Sequence, residues 1–278
     1  MATKTSLLGL TKPAYTEAAD IAVLNGNFDL IDKAVGNGAY VRNELDNSYF
    51  VDPINARGAT SYNASGYTVD RWKINMGSNA TVTVGNGKIT LSKSGTSGSF
   101  SQVLPVNLTG KTMTYAVKTA NGITCRSAVI SSSSSYAQID GVKAYLSVAV
   151  TGGQTVFQIY FNDSSNIDIE LYWAALYEGA YTAETLPAYV YKGYAAELME
   201  CRRYYQTAYR VYGASIGNVS REAIMLSPPM RVTPTVSTVT EWAGNESAGY
   251  TVSSAYPDFI DISYTGWGNV KLALSADL

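Results

Sequence analysis

The feature that most constrains the fold is a long series of short runs, between residues 44 and 178, in which apolar and polar residues alternate. Phe157, Ile159 and Phe161, for example, alternate with more polar residues. A period of two is that of a half-buried strand, and turn-rich pieces such as Asn121-Gly122 separate the runs. The runs predicted as strands are 69–74, 80–84, 88–91, 100–104, 112–118, 123–130, 144–150, 155–161 and 167–177.

The clearest turn within this series is Gly85-Asn86-Gly87, which lies between two of the predicted strands. An Asn-Gly pair between alternating segments is a strong hairpin signal. About eight or nine antiparallel strands in a segment of this length predict a β-sandwich, most simply a jelly roll.

The segment before this series contains the clearest helix signal. Asp20 is expected to be the N-cap and Gly36 the C-terminal stop. The apolar residues between them follow spacings of 3, 4, 3 and 4: Ile21, Leu24, Phe28, Ile31 and Val35. So short a helix must bury this stripe, either by docking on its own chain or by self-assembly in a coiled coil.

The last hundred residues predict a second β unit. A helix is expected at 194–207, and Gly266-Trp267-Gly268 is expected to form the last turn. Strands are expected near 211–219, 221–226, 236–242, 250–254, 259–264 and 270–274. The predicted fold is therefore mainly β, with a short N-terminal helix (1–43), a jelly-roll-like sandwich (44–180), and a helix plus antiparallel β-domain (181–278).

Composition excludes several kinds of chemistry. The chain has 22 tyrosines and no histidine, so Ser-His-Asp machinery and His-based zinc sites are ruled out. It has no phosphate-binding glycine motif, and a net charge of −2 gives no basic footprint for nucleic acid. We expect no cofactor, no metal, no nucleic-acid partner and no enzymatic activity. Tyrosine suits recognition surfaces, although many tyrosines simply fill strands.

Two chemical alternatives stay open at this stage. Paired carboxylates could cleave a glycosidic bond, with these candidates: Asp140, Asp163, Asp168, Glu170, Glu241, Glu246, Asp258 and Asp261. Oxygen ligands at Asp163, Asn166, Asp168 and Glu170 could bind calcium. Cys125 and Cys201 are expected to be free thiols, with a bridge between them not excluded. The N-terminus lacks a signal-peptide pattern, and no apolar stretch reaches the length of a membrane span.

Three stretches of the sequence resemble bacteriophage and prophage tail fibre proteins. Residues 47–58 (Asn-Ser-Tyr-Phe-Val-Asp-Pro-Ile-Asn-Ala-Arg-Gly) and 67–72 (Tyr-Thr-Val-Asp-Arg-Trp) resemble the opening of a carbohydrate-binding-module-like β-sandwich, with Ala56 in place of the usual glutamine. Residues 197–206 (Glu-Leu-Met-Glu-Cys-Arg-Arg-Tyr-Tyr-Gln) are similar to the helix that opens a C-terminal domain of these fibres. The stretch from Leu8-Gly-Leu-Thr-Lys-Pro13 to Asp32 is similar to the leader of tail proteins from phages of Gram-positive bacteria.

The resemblance implies a homotrimeric virion protein that attaches to the tail or baseplate and binds a host cell-surface glycan non-covalently during adsorption. The alternatives are a structural tail component without receptor binding, and a glycan-cleaving tail-spike. The candidate glycan contacts are aromatic residues expected in turns: Trp242, Trp267, Tyr256, Tyr62 and Tyr136. Trp242 and Trp267 are preferred because glycine and asparagine lie near them.

The motif residues themselves predict scaffold roles. Trp72 is expected to anchor the sandwich core, Arg57 to pair with Asp70, and Gly58 to serve a turn. If Asp70-Arg71-Trp72 is a strand, Arg71 points to the opposite face from its two neighbours.

Overall fold

The structure, a computed structural model, describes residues 3–4, 10–14, 20–38, 41–76, 80–95, 97–161, 166–213, 218–243 and 248–278. The described elements are mostly antiparallel strands, with two α-helices, and the predicted mainly-β fold is confirmed. In chain order they are β1 Thr3–Lys4, β2 Thr11–Lys12, α1 Ile21–Gly38, β3 Ser61–Tyr62, β4 Gly66–Tyr67, β5 Lys73–Met76, β6 Ala80–Gly85, β7 Lys88–Lys93, β8 Gly98–Val103, β9 Thr112–Thr119, β10 Gly122–Val129, β11 Ser135–Gln138, β12 Ala144–Thr151, β13 Gln154–Phe161, β14 Ile167–Glu178, α2 Tyr194–Arg202, β15 Tyr205–Gly213, β16 Ser220–Met225, β17 Thr235–Ala243, β18 Gly249–Ala255, β19 Phe259–Thr265 and β20 Trp267–Ser275.

Helix α1 begins where its N-cap predicts. The Asp20 carboxylate accepts a hydrogen bond of 2.8 Å from the Ala22 amide, which satisfies one free donor of the first turn. Asn27 holds the chain before the helix, because its side-chain amide exchanges two hydrogen bonds with the Thr11 backbone. The helix continues to Gly38, so the prediction that it stops at Gly36 was wrong.

Residues 43–178 form a sandwich of two six-stranded sheets. One sheet has the order β10-β9-β14-β7-β6-β3, and the other has the order β11-β12-β13-β8-β5-β4. The hairpin between β6 and β7 is confirmed: Asn86 and Gly87 both have positive φ, as a two-residue type I′ turn requires. The short strands β3, β4 and β11 escaped the sequence analysis, because two to four residues are too few to show a period.

Trp72 lies at the centre of the sandwich core, as predicted, and is fully buried. Its ring stacks on Phe100 at 4.9 Å and meets Phe50 and Phe157 edge-on. The indole N–H donates to the Asn47 carbonyl oxygen at 2.9 Å, so no buried donor is left unmet there.

The C-terminal domain is a smaller sandwich with its own core. Sheet β15-β20-β17 packs on sheet β16-β19-β18. Its core includes Ile224, Ile260, Ile262, Val270 and Leu272. The last turn is confined to Gly266, which has a φ of 63°, and Trp267 already belongs to β20.

Two further segments differ from their predicted structure. The helix expected at 194–207 ends at Arg202, and Tyr205 instead pairs with Ser275 as the first residue of β15. Asp70-Arg71-Trp72 lies in a turn closed by hydrogen bonds between Thr68 and Trp72, not in a strand. Arg71 has a φ of 72° there and is buried with both neighbours, so the expected alternation of faces was wrong.

Candidate functional site

The two tryptophans preferred by the sequence analysis meet in the structure. Trp242 on β17 and Trp267 on β20 form an edge-to-face pair with centroids 5.0 Å apart, and each is 51% exposed. Gly268 makes the close approach possible, because a Cβ there would collide with the Trp242 carbonyl oxygen and the Tyr212 hydroxyl. The pair presents an apolar surface that the chain's own core does not use.

This tryptophan pair lies at the end of the C-terminal domain that is remote from the first sandwich. The other end of β20 is followed by Ala276 and Asp277, which bond to Tyr204 and Arg57. The nine residues of β20 separate the two ends by about 27–30 Å at the rise of a strand.

The other predicted contact residues do not join the pair. Tyr256 is 47% exposed and stacks on Phe259, but its turn lies at the end of the domain nearest the first sandwich, where Pro257 bonds to Met230. Tyr62 donates to the Asn55 side chain and packs against the sandwich core, which gives it a structural role.

Tyr136 lies on β11 and not in a turn, and it is 45% exposed. Its ring lies 6.4 Å from Tyr145 and 6.2 Å from Tyr160. Neither neighbour was among the predicted contact residues, although the alternation of β13 already placed Tyr160 on the face opposite the core residues.

The apolar stripe of α1 is exposed to solvent and is not packed against other described residues. Ile21, Leu24, Phe28 and Ile31 are 72%, 51%, 58% and 37% exposed. Val35 belongs to the helix, but its side chain lies outside the described part of the chain. A stripe of this kind requires burial elsewhere, which fits the expectation of assembly without fixing the number of chains.

A set of contacts, here called the joint, connects the two sandwiches. Residues 47–58 and 67–72, the first stretches that resemble tail fibre proteins, contribute to it. Asn47 has a φ of 49°, which asparagine tolerates better than most residues. Its side chain forms hydrogen bonds with the backbone of Ile54 and Asp70, and its backbone N–H donates to the Glu197 carboxylate at 2.6 Å. Helix α2 is thereby tied to the loop that begins the first sandwich.

Arg57 is the central cation of this joint. It binds Asp70 at 2.8 Å, as predicted, and also binds Asp277 near the C-terminus. Its guanidinium lies 3.9 Å from the Tyr205 ring centre. Burial is the main reason that the pKa of Asp70 rises to about 6, against the opposing effects of the Ala56 amide and Arg57. Burial likewise raises the pKa of Asp277.

Arg71 makes a parallel set of contacts and is 1% exposed. It bonds to Asp46 at 3.0 Å and to the Val103 carbonyl, and its guanidinium lies 3.5 Å from the Tyr204 ring centre. Residues 47–58 and 67–72 of the first sandwich therefore pack on residues 197–206, which begin the C-terminal domain. Their residues are scaffold, and they give no evidence of a ligand.

A second aromatic group fixes the segment that connects the sandwiches. Trp173, Tyr189, Tyr49 and Tyr191 stack in that order, with centroid separations of 5.0, 5.9 and 4.4 Å. The Tyr189 and Ser48 hydroxyls lie 3.1 Å apart. These partly buried rings are accounted for by their contacts with one another.

Two of the candidate carboxylates are engaged in other contacts. Glu170 is paired with Lys88, which lowers the pKa of Glu170, and Asp168 accepts from Ser92. Asp163 and Glu246 lie outside the described residues. Within the described ranges, no group of three His, Cys, Asp or Glu residues could hold a metal ion.

Two further observations concern the cysteines and the membrane. Cys125 and Cys201 are free thiols, and burial is the main reason that the pKa of Cys201 is raised. Neither described helix combines the length and apolarity needed to cross a bilayer.

Comparison with protein-family models and with curated proteins found no match to this chain.

Proposed function

We propose that this chain is a phage or prophage tail fibre protein that binds a host cell-surface glycan without cleaving it. The observation that carries the proposal is the half-exposed Trp242–Trp267 pair at the remote end of the C-terminal domain. An attachment protein has to present its contact surface at such an end.

The chemistry of the pair suits a sugar. Aromatic faces cover the apolar C–H faces of pyranose rings, and tryptophan offers the largest such face. Asn269, the cross-strand partner of Trp242, places a hydrogen-bonding amide on the same face of the sheet as the rings. A single contact of this kind is weak, so several copies on one particle would supply avidity.

The remaining parts of the chain fit the same proposal. The exposed stripe of α1 would serve assembly, for which the resemblance implies three chains and a tail or baseplate partner. The joint around Arg57 and Arg71 would hold the C-terminal domain in a fixed direction from the first sandwich. In this proposal the protein acts in the virion.

The test is adsorption of the purified full-length chain to a panel of Gram-positive bacteria. Trp242→Ala and Trp267→Ala should weaken adsorption while the melting temperature stays close to that of the unaltered chain. Tyr256→Ala is the matched control, since Tyr256 is nearly as exposed as the tryptophans but lies at the opposite end of the domain. Undiminished adsorption by both folded tryptophan variants would remove the pair from the site.

Two rival functions give different results in the same preparation. A purely structural tail component would adsorb to none of the bacteria although it folds and assembles. A glycan-cleaving tail-spike would release new reducing ends from purified cell-wall polysaccharide.

A further inference from the structure

The outer face of the sheet β11-β12-β13-β8-β5-β4 carries three clustered tyrosines. The inward residues of its strands, such as Leu146, Phe157 and Ile159, fill the sandwich core. The alternate residues Tyr136, Tyr145 and Tyr160 therefore project outward, and their rings lie within 6.4 Å of Tyr136. We call these three residues the tyrosine patch.

Two rows of side chains cross this face in register. One row is Gln138, Tyr145, Tyr160, Ser99 and Asn75. The other is Tyr136, Ser147, Gln158, Ser101 and Lys73. Five strands at about 4.8 Å spacing make each row roughly 19 Å long, enough for several linked sugar rings.

The row that contains Tyr136 also has a buried hydroxyl without a hydrogen-bond partner in the described part of the chain. Ser147 is completely buried although it belongs to the outward face, and its hydroxyl has no partner among the described residues. Since buried polar groups are normally satisfied, the Ser147 hydroxyl marks a position where an ordered water would be stabilised.

The charge of the rows restricts the ligand. Lys73, at the far end of one row, is the only charged side chain among these ten positions. Aromatic rings, hydroxyls and amides are the groups that match a neutral sugar, whereas an anionic polymer would call for a basic lining.

We propose that the tyrosine patch is a second glycan-binding surface, for a neutral, hydroxyl-rich chain that lies across the strands. The rings of Tyr145 and Tyr160 stack on successive sugars, and Gln158 and Gln138 bond to sugar hydroxyls. This inference rests on the proposed function for its class of ligand, but it does not require the tryptophan pair.

The experiment uses the full chain and an array of neutral and anionic oligosaccharides, followed by titration of the neutral glycan that binds best. Tyr145→Thr combined with Tyr160→Thr keeps residues suited to strands and should weaken binding about tenfold. Replacing both by phenylalanine keeps the rings and should preserve most of the affinity. Tyr172→Thr, on the outer face of the other six-stranded sheet, is the matched control.

The outcomes separate the two proposals. Loss of binding in the threonine variant, with little dependence on salt, supports the patch. A threonine variant that binds normally while Trp267→Ala does not would overturn the patch and leave the proposed function standing. If the unaltered chain binds anionic but no neutral glycans, the patch proposal is wrong and the proposed function stands; if it binds no glycan at all, both are wrong. Should the double variant unfold, the single variant Tyr136→Ser, which removes the most exposed ring of the patch, is tested in its place.

Discussion

Removing Arg57 tests the physical account of the joint. In Arg57→Ala the carboxylates of Asp70 and Asp277, whose side chains are 1% and 5% exposed, lose their shared cation. Breaking a buried ion pair by removing one partner costs about 3–5 kcal/mol, because the other charge stays buried. The lost guanidinium contact with Tyr205 adds about 1 kcal/mol. We therefore expect a decrease of about 4–6 kcal/mol in the free energy of unfolding at neutral pH.

The loss should depend on pH in a defined direction. The pKa of Asp70 is about 6 in the folded chain and 3.8 without burial, so folding favours its protonated form. Its contribution to stability is complete below 3.8 and is lost as the pH rises through 6. Without Arg57 the folded pKa of Asp70 rises further, and protonation then relieves the unpaired charge. The destabilisation by Arg57→Ala should therefore shrink between about pH 7.5 and about pH 4.5.

The assay is denaturant unfolding followed by tryptophan fluorescence at both pH values. Lys111→Ala is the matched control, because Lys111 and Glu178 are also 2.8 Å apart but their side chains are 47% and 60% exposed. That exposed pair should contribute less than about 1 kcal/mol. The reasoning is refuted if Arg57→Ala costs no more than Lys111→Ala at neutral pH, or costs more in acid.

Three further predictions concern other parts of the chain. Gly268→Ala should cost about 1–3 kcal/mol, measured by thermal unfolding, because its methyl group meets the Trp242 carbonyl oxygen. Trp72→Ala should cost about 3–5 kcal/mol and abolish the near-ultraviolet circular dichroism signal if the first sandwich loses its core; an unchanged melting curve would contradict the core assignment. Leu24→Asp combined with Phe28→Asp should lower the mass of the assembled protein in light scattering without changing the strand content, and an unchanged mass would exclude the stripe as an assembly surface.

The sequence predicted correctly those features of the fold that depend only on residues a few positions apart. The Asn86-Gly87 turn and the Asp20 cap were identified correctly because each depends on residues within a few positions. Tyr205 was assigned to a helix because its strand partner, Ser275, is far away in sequence. The left-handed conformation of Arg71 is likewise maintained by distant partners such as Asp46 and Tyr204.

In the candidate site, too, the individual residues could be predicted from the sequence, but their contacts depend on residues that are distant in sequence. Trp242 and Trp267 were preferred because glycine and asparagine lie near them in the sequence, but their contact depends on the pairing of β17 with β20. Tyr256, chosen on the same grounds, lies at the other end of the domain because its hairpin turns there. The tyrosine patch was within reach of sequence reasoning, since outward tyrosines on two successive strands stand out once the period of two is accepted.

The most direct test of the central claim is adsorption of the full chain to bacteria before and after periodate oxidation of their surface glycans. Binding to a surface glycan predicts that oxidation abolishes adsorption, while protease treatment of the same cells leaves it intact. Adsorption that survives oxidation but is lost after protease treatment would contradict the claim and point to a protein receptor.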